Sequence, residues 1–183
     1  DRNALLYVRG ENGVLSVSAD NITLDGAQVL NEGKGLTLLD AKNGLNLTAL
    51  SVGYDEKLGQ SNSYRNANLQ DVVTSFVKGR GNVQLQAKNI HTDGGELEAA
   101  QRLTLIAEND AVLGAADKTA SLEQYAKTQS RGFLSSHSSE RYTYDKLSAH
   151  EATRLQGKNI ELSAKHEIRL QGTQAKATEN LVA

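Results

Sequence analysis

Gly157-Lys158-Asn159-Ile160-Glu161-Leu162-Ser163-Ala164, continuing through Ile168-Arg169-Leu170-Gln171-Gly172, decides how the rest of the chain is read. Apolar and polar residues alternate, an alanine follows, the chain jogs, alternation resumes and a glycine closes the run. Strict alternation marks a strand with one buried face. The pattern returns as Gly13-Val14-Leu15-Ser16-Val17-Ser18-Ala19 leading to Ile22-Thr23-Leu24-Asp25-Gly26, and as Asn82-Val83-Gln84-Leu85-Gln86-Ala87 leading to Ile90-His91-Thr92-Asp93-Gly94. Degenerate copies run from Leu36 to Ala49 and from Leu103 to Gly114. Repetition at roughly 20 residues is the signature of a solenoid, in which no single repeat buries its apolar face alone. The expected fold is therefore all-β: a right-handed parallel β-helix with coils stacked about 4.8 Å apart, Leu over Leu and Ala over Ala.

Composition agrees with a narrow interior. The 183 residues contain no Trp, Pro, Cys or Met, and aromatics make up only 4%. Leu, Ile, Val and Ala must fill the core, and neither disulfides nor thiolate metal sites are available. The net charge of -2 gives no electrostatic footprint for nucleic acid. No apolar run is long enough to span a membrane, and no signal peptide opens the chain. The chain starts at Asp1 without Met and stops in polar sequence, so residues 1–183 read as one β-helix segment of a longer chain.

The coils fall at about 14–29, 36–49, 83–97, 103–113 and 160–175. Leu5-Leu6-Tyr7-Val8 is a short strand that caps or pairs with the first coil, and 177–183 reads as a ragged end. Asn43-Gly44 fits either a corner within the second coil or a hairpin turn, and the flanking pattern favours the corner. The pattern lapses twice, at about 50–80 and 116–156. These lapses read as hairpin-like insertions outside the helix. For the second, two strands flanking Ser135-Ser136-His137 compete with a short helix around Asp117 to Lys127. The order is coil, coil, insertion, coil, coil, insertion, coil. Thr74-Ser75-Phe76-Val77-Lys78-Gly79 precedes one restart and Thr153-Arg154-Leu155-Gln156-Gly157 the other. A super-repeat of two coils and one excursion follows, with both excursions leaving from one corner and able to pack side by side.

The run Gly-x-Asn-Ile-x-Leu-x-Ala-x-x-x-Ile-x-Leu-x-Gly at Gly157 to Gly172 resembles the haemagglutinin repeats of two-partner secretion exoproteins, the filamentous haemagglutinin and contact-dependent growth inhibition group. The second insertion is similar to that family's insertion at Ser130, Gly132, Phe133, Leu134, Ser135 and Ser136, at Tyr144-Asp145 and at Thr153. The resemblance implies a secreted structural filament on a Gram-negative outer-membrane surface, exported by an outer-membrane transporter partner. Adhesion to a host, or delivery of a C-terminal toxin to a target bacterium, would be its task. Neither the family's secretion domain nor a toxin is visible in these residues.

Residue patterns that could carry other chemistries also have plain structural roles. Parallel β-helices include polysaccharide-degrading enzymes, which need clustered carboxylates. Asp25 and Asp93 both precede a corner glycine, but the third copy has Gln171 there, so the ladder is broken and no enzyme is expected. A calcium β-roll needs tandem Gly-Gly-x-Gly-x-Asp, which Gly94-Gly95 does not extend to. His91, His137, His150 and His166 form no metal spacing with one another or with a carboxylate. Ser135-Ser136-His137-Ser138-Ser139 sits at a hairpin tip, a poor scaffold for a triad. No catalytic residue, metal or cofactor is predicted. The candidate partner-binding residues are Arg131, Phe133, Leu134, Arg141, Tyr142 and Tyr144, because exposed aromatics with Arg form binding hot spots. They would face a protein or glycan on a host or target-bacterium surface. The plainer alternative packs these aromatics against the solenoid flank. Open coil ends also predict end-to-end self-association.

Overall fold

The structure is a computed structural model and describes residues 4–183. Among them every regular element is a strand. The chain divides into two compact units, one built from residues 4–50, Val72–Ala116 and His150–Ala183, the other from Ser51–Asp71 and Asp117–Ala149.

The first unit consists of two stacks of parallel strands. One stack holds β2 (Leu15–Asp25), β4 (Thr37–Thr48), β8 (Val83–Asp93), the first half of β10 (Arg102–Arg131) and β12 (Glu167–Leu170), in that order. The other holds β1 (Leu5–Val8), β3 (Gln28–Asn31), β7 (Ser75–Gly79), β9 (Gly95–Ala99), the end of β11 (Ser136–Ala164) and β13 (Thr173–Val182). The chain visits the stacks alternately, so each coil gives one strand to each.

Register obeys the alternation. Val17 lies beside Leu39, Leu39 beside Leu85 and Leu85 beside Leu105. Ala19 pairs with Ala41, and Ala87 with Ala107. In the second stack Val29, Val77, Leu97 and Leu155 follow one another. These side chains form one core made only of Leu, Ile, Val and Ala. The expected jog is a bulge: the register shifts between Ala19 and Asn21 and again between Asp40 and Gly44. The Gly44 N–H donates to Asn21 Oδ1 at 3.2 Å, so Asn43-Gly44 is the corner and not a hairpin turn.

Several boundaries differ from the sequence reading. Ser75–Gly79 and Thr153–Gly157 belong to the second stack and complete coils whose first strands are β4 and β10. The excursions are therefore 51–71 and 117–149, shorter than 50–80 and 116–156. The stretch expected to be ragged is also a strand, with Asn180, Leu181 and Val182 pairing with Asn159, Ile160 and Glu161. Leu5, Leu6, Tyr7 and Val14 are exposed at one end of the stacks, and Leu170, Leu181 and Val182 at the other.

The corner that joins the stacks alternates in construction. Coils without an excursion turn on Gly26, Gly94 and Gly172, with φ of 57°, 64° and 68°. That is the left-handed region, which costs other residues about 1–2 kcal/mol. Space forbids a side chain as well. A Cβ on Gly26 would meet Leu50 Cβ at 2.9 Å, one on Gly94 the Glu151 carbonyl at 2.8 Å, and one on Gly172 Ala115 Cβ at 2.7 Å. Those neighbours are the roots of the excursions that leave the intervening coils. Where each excursion returns, a buried hydroxyl closes the corner. Ser75 Oγ accepts the Ala27 N–H at 3.1 Å and lies 2.9 Å from both the Leu24 and Thr48 carbonyls. Thr153 Oγ1 donates to the Gly114 carbonyl at 2.6 Å and meets Thr92 Oγ1 at 2.8 Å.

Two stability predictions follow from these contacts. Gly94→Ala is expected to cost at least about 1–2 kcal/mol, while Gly44→Ala, with no positive φ, costs under about 1 kcal/mol; urea unfolding of both variants checks this. Thr37 is fully buried between Leu15 and Val83 in the first stack, and its Oγ1 has no hydrogen-bond partner. Thr37→Val keeps the shape and removes that orphan, so the same measurement is expected to give a gain of about 1 kcal/mol.

Candidate functional site

The second unit is a four-stranded antiparallel sheet. β5 (Leu50–Gln60) and β6 (Ser63–Val73) make one hairpin; the outer halves of β10 and β11 make the other. The two hairpins pair edge to edge through β6 and β10, from Gln70 opposite Thr119 to Ser63 opposite Ala126. The helix considered for Asp117 to Lys127 is absent; alternation of small, polar and aromatic residues there serves a strand instead.

Across that seam runs a network of tyrosines, amides and carboxylates. The Tyr64 and Tyr125 rings stack with centroids 5.3 Å apart. Tyr64 Oη donates to Glu123 at 3.1 Å, and Asn66 Nδ2 donates to the other oxygen of the same carboxylate at 2.9 Å. Tyr142, on the far side of β10, also hydrogen-bonds Glu123. Tyr125 Oη donates to Glu140 at 2.6 Å, and Asn68 donates to Asp55. Hydrogen bonds from Asn66 and Tyr64 hold Glu123 below the usual carboxylate range. The same kind of bond raises Tyr64, through Glu123, and Tyr125, through Glu140, because it favours the protonated phenol.

The six expected contact residues do not form one patch. Arg131 ends β10. Phe133 and Leu134 occupy the hairpin turn closed by the Gly132 N–H on the Ser135 carbonyl at 2.7 Å, and they are 101% and 93% exposed. Arg141 lines a concavity of about 510 Å³ with Leu58, Tyr64, Arg65, Tyr125 and Thr143. Tyr142 and Tyr144 stand two residues apart, on one face of β11, and are half exposed. Tyr144 borders a shallower hollow with Asp55, Asn66, Asn68 and Glu123. Glu123, Tyr64 and Tyr125 were not singled out from the sequence. Their signal is the spacing Glu123-x-Tyr125 and Glu140-x-Tyr142-x-Tyr144, which puts acid and phenol on one strand face.

In the first unit, His91 has a partner that its spacing hid: its Nε2 lies 2.9 Å from Asp93 Oδ2. Two residues apart on a strand is one face, not a ligand set. Among the described residues no group of three His, Asp or Glu side chains converges on a metal position. Asp25 lies beside Thr48, and Asp93 beside Gly114. No helix among them is long and apolar enough to cross a membrane.

Residues 56–136 match the sequence model of a family described as Hemagglutinin repeat. Over these residues the chain is similar to a haemagglutinin repeat. The match starts within the first hairpin and ends beyond the turn of the second. The matched stretch thus takes in one period of the alternation, two coils and the passage from one excursion to the next. The family is a structural, adhesin-type one of secreted or cell-surface proteins. No curated protein and no solved structure matches the chain.

The network is expected to make the second unit acid-sensitive. A carboxylate depressed in the folded state stabilises it above the unfolded value near 4.5, and that contribution is lost as pH falls through the depressed value. With six Tyr and no Trp in the chain, tyrosine fluorescence reports on the seam. The expected result is a fluorescence change on acidification below 4.5 that Glu123→Gln abolishes. Identical titrations for the two proteins would refute the role given to Glu123.

Proposed function

We propose that the first unit is a stretch of right-handed parallel β-helix, and that the chain is a structural segment of a large secreted filament. The filament would stand on the outer-membrane surface of a Gram-negative bacterium after export through an outer-membrane transporter. It would hold adhesive parts, or a C-terminal toxin for contact-dependent delivery, away from the cell. The observation that carries this reading is the regular alternation of glycine corners and excursions along two in-register stacks. Such a design is periodic, grows by stacking, and devotes its buried groups to corners and core. The haemagglutinin-repeat match over one period supports it.

A second reading has its own observation. Phe133 and Leu134 are adjacent, apolar and fully exposed, and unspent apolar surface marks interaction sites. In that reading the second insertion contacts a protein or glycan of the opposing cell. An enzyme is disfavoured by Thr48 and Gly114 beside the two corner aspartates, which leave no carboxylate cluster there for acid-base work.

The triple variant Phe133→Ala, Tyr142→Ala, Tyr144→Ala, made in the full exoprotein, separates the two. A structural segment keeps surface display and cell attachment at the parental level. A fall in attachment of about tenfold or more, with display unchanged, is the size of a lost hot spot and would replace the structural reading with the binding one.

A further inference from the structure

The two faces of the second unit's sheet differ in how their charges are satisfied. On one face Asp55, Glu123 and Glu140 are engaged by tyrosines and asparagines. The other face carries Arg65, Gln124 and Arg141 in one row across three strands. Arg65 lies directly opposite Gln124 in the β6–β10 seam. Tyr125 touches Glu140 and Tyr142 touches Glu123, a register that puts Arg141 opposite Gln124 from the other side. A face, unlike an edge, stays open whatever strands lie beside the sheet.

This row lines the concavity of about 510 Å³, together with Leu58, Ser63 and Thr143, all within the second unit. Both arginines are exposed, and no carboxylate lines the concavity. Among the described residues neither has an ion pair. Other basic side chains do: Lys78 meets Glu96 and Glu98, Lys118 meets Asp71, Arg154 meets Glu151 and Arg169 meets Glu167. Glu56, one row along the same face, is engaged by Tyr54 Oη at 2.7 Å. Two like charges therefore share one concavity, their backbones two strand spacings or about 9.6 Å apart. They repel each other, and an anion between them removes that repulsion.

We propose that this concavity binds an acidic oligosaccharide, with the carboxylates of its sugar acids on Arg65 and Arg141. A guanidinium is a planar fork that takes a carboxylate through two parallel hydrogen bonds. The separation of the two arginines suits a chain that carries more than one carboxylate. Between the charges lie the Gln124 amide and the Ser63 and Thr143 hydroxyls, each able to donate and to accept. That mixture matches the hydroxyls of a sugar ring better than the side chains of an acidic peptide. Leu58 offers an aliphatic surface to the C–H side of a ring. The proposal rests on the second reading above, the insertion as a contact surface, and moves the contact from the hairpin turn to the sheet face.

Calorimetry on the 183-residue chain tests it, with oligogalacturonate and oligosialic acid as probes at physiological salt. The expected result is binding of at least one probe, lost when its carboxylates are methyl-esterified. Arg65→Gln and Arg141→Gln should each weaken that binding about tenfold or more. Arg131→Gln, at the end of β10 and outside the concavity, should leave it unchanged. Circular dichroism checks that each variant keeps its strands. Failure of both probes to bind overturns the proposal, and so does an equal loss from Arg131→Gln. Equal binding of dextran sulfate or of poly-glutamate also overturns it, because the face would then answer to charge alone or to an acidic peptide. Any of these failures leaves the attachment assay on Phe133, Tyr142 and Tyr144 to decide the second reading by itself.

Discussion

Everything in the first unit depends on like side chains stacking in register between parallel strands. A coil of this chain has one apolar row per strand and nothing of its own to bury it against. Pairing Val17 with Leu39 and Leu85 with Leu105 turns those rows into continuous aliphatic ladders, and the backbone hydrogen bonds run along the same direction. A slip by one residue would turn every Leu outward and every Ser and Gln inward. Side-chain identity and backbone pairing therefore enforce each other, which is why so little aromatic surface is needed.

The corners are where this regularity is interrupted and where the chain spends its special residues. A glycine corner is tight because the roots of the neighbouring excursions leave no room for a Cβ. An excursion corner is open, and its loose carbonyls at Thr48 and Gly114 are gathered by Ser75 and Thr153, with Ser75 also reaching the Leu24 carbonyl of the neighbouring glycine corner. The two kinds of corner are interdependent. The glycine accommodates the departing and returning strands, and the hydroxyl ties the returning strand to the coil it rejoins.

The ladders were legible because alternation is a local property: five residues from Leu15 to Ala19 suffice to declare a buried face. The second-stack strands were harder to read. Ser75–Gly79 and Thr153–Gly157 are only a few residues long, and each is cut off from its own coil by an excursion, so each passed for the tail of an insertion. The seam of the second unit was invisible for a different reason. Tyr64 and Glu123 are 59 residues apart, and nothing local says that two polar strands will pair. Exposure at Phe133 and Leu134 was half legible: the residues stood out, but packing against a flank was the favoured reading, and the turn carries both in the open.

The strict alternation of corners also constrains how a gene for such a chain can lengthen. Stacked coils rise about 4.8 Å each, so excursions rooted on every second coil are about 9.6 Å apart, the width of a two-stranded hairpin. Duplicating a single coil would put two glycine corners, or two excursions, on successive levels. The glycines would then lose the neighbours they were shaped for, or the hairpins would be crowded at half their own width. Viable gains and losses by recombination should therefore come in whole periods, and length variation among such genes should be quantised in steps of two coils and one hairpin.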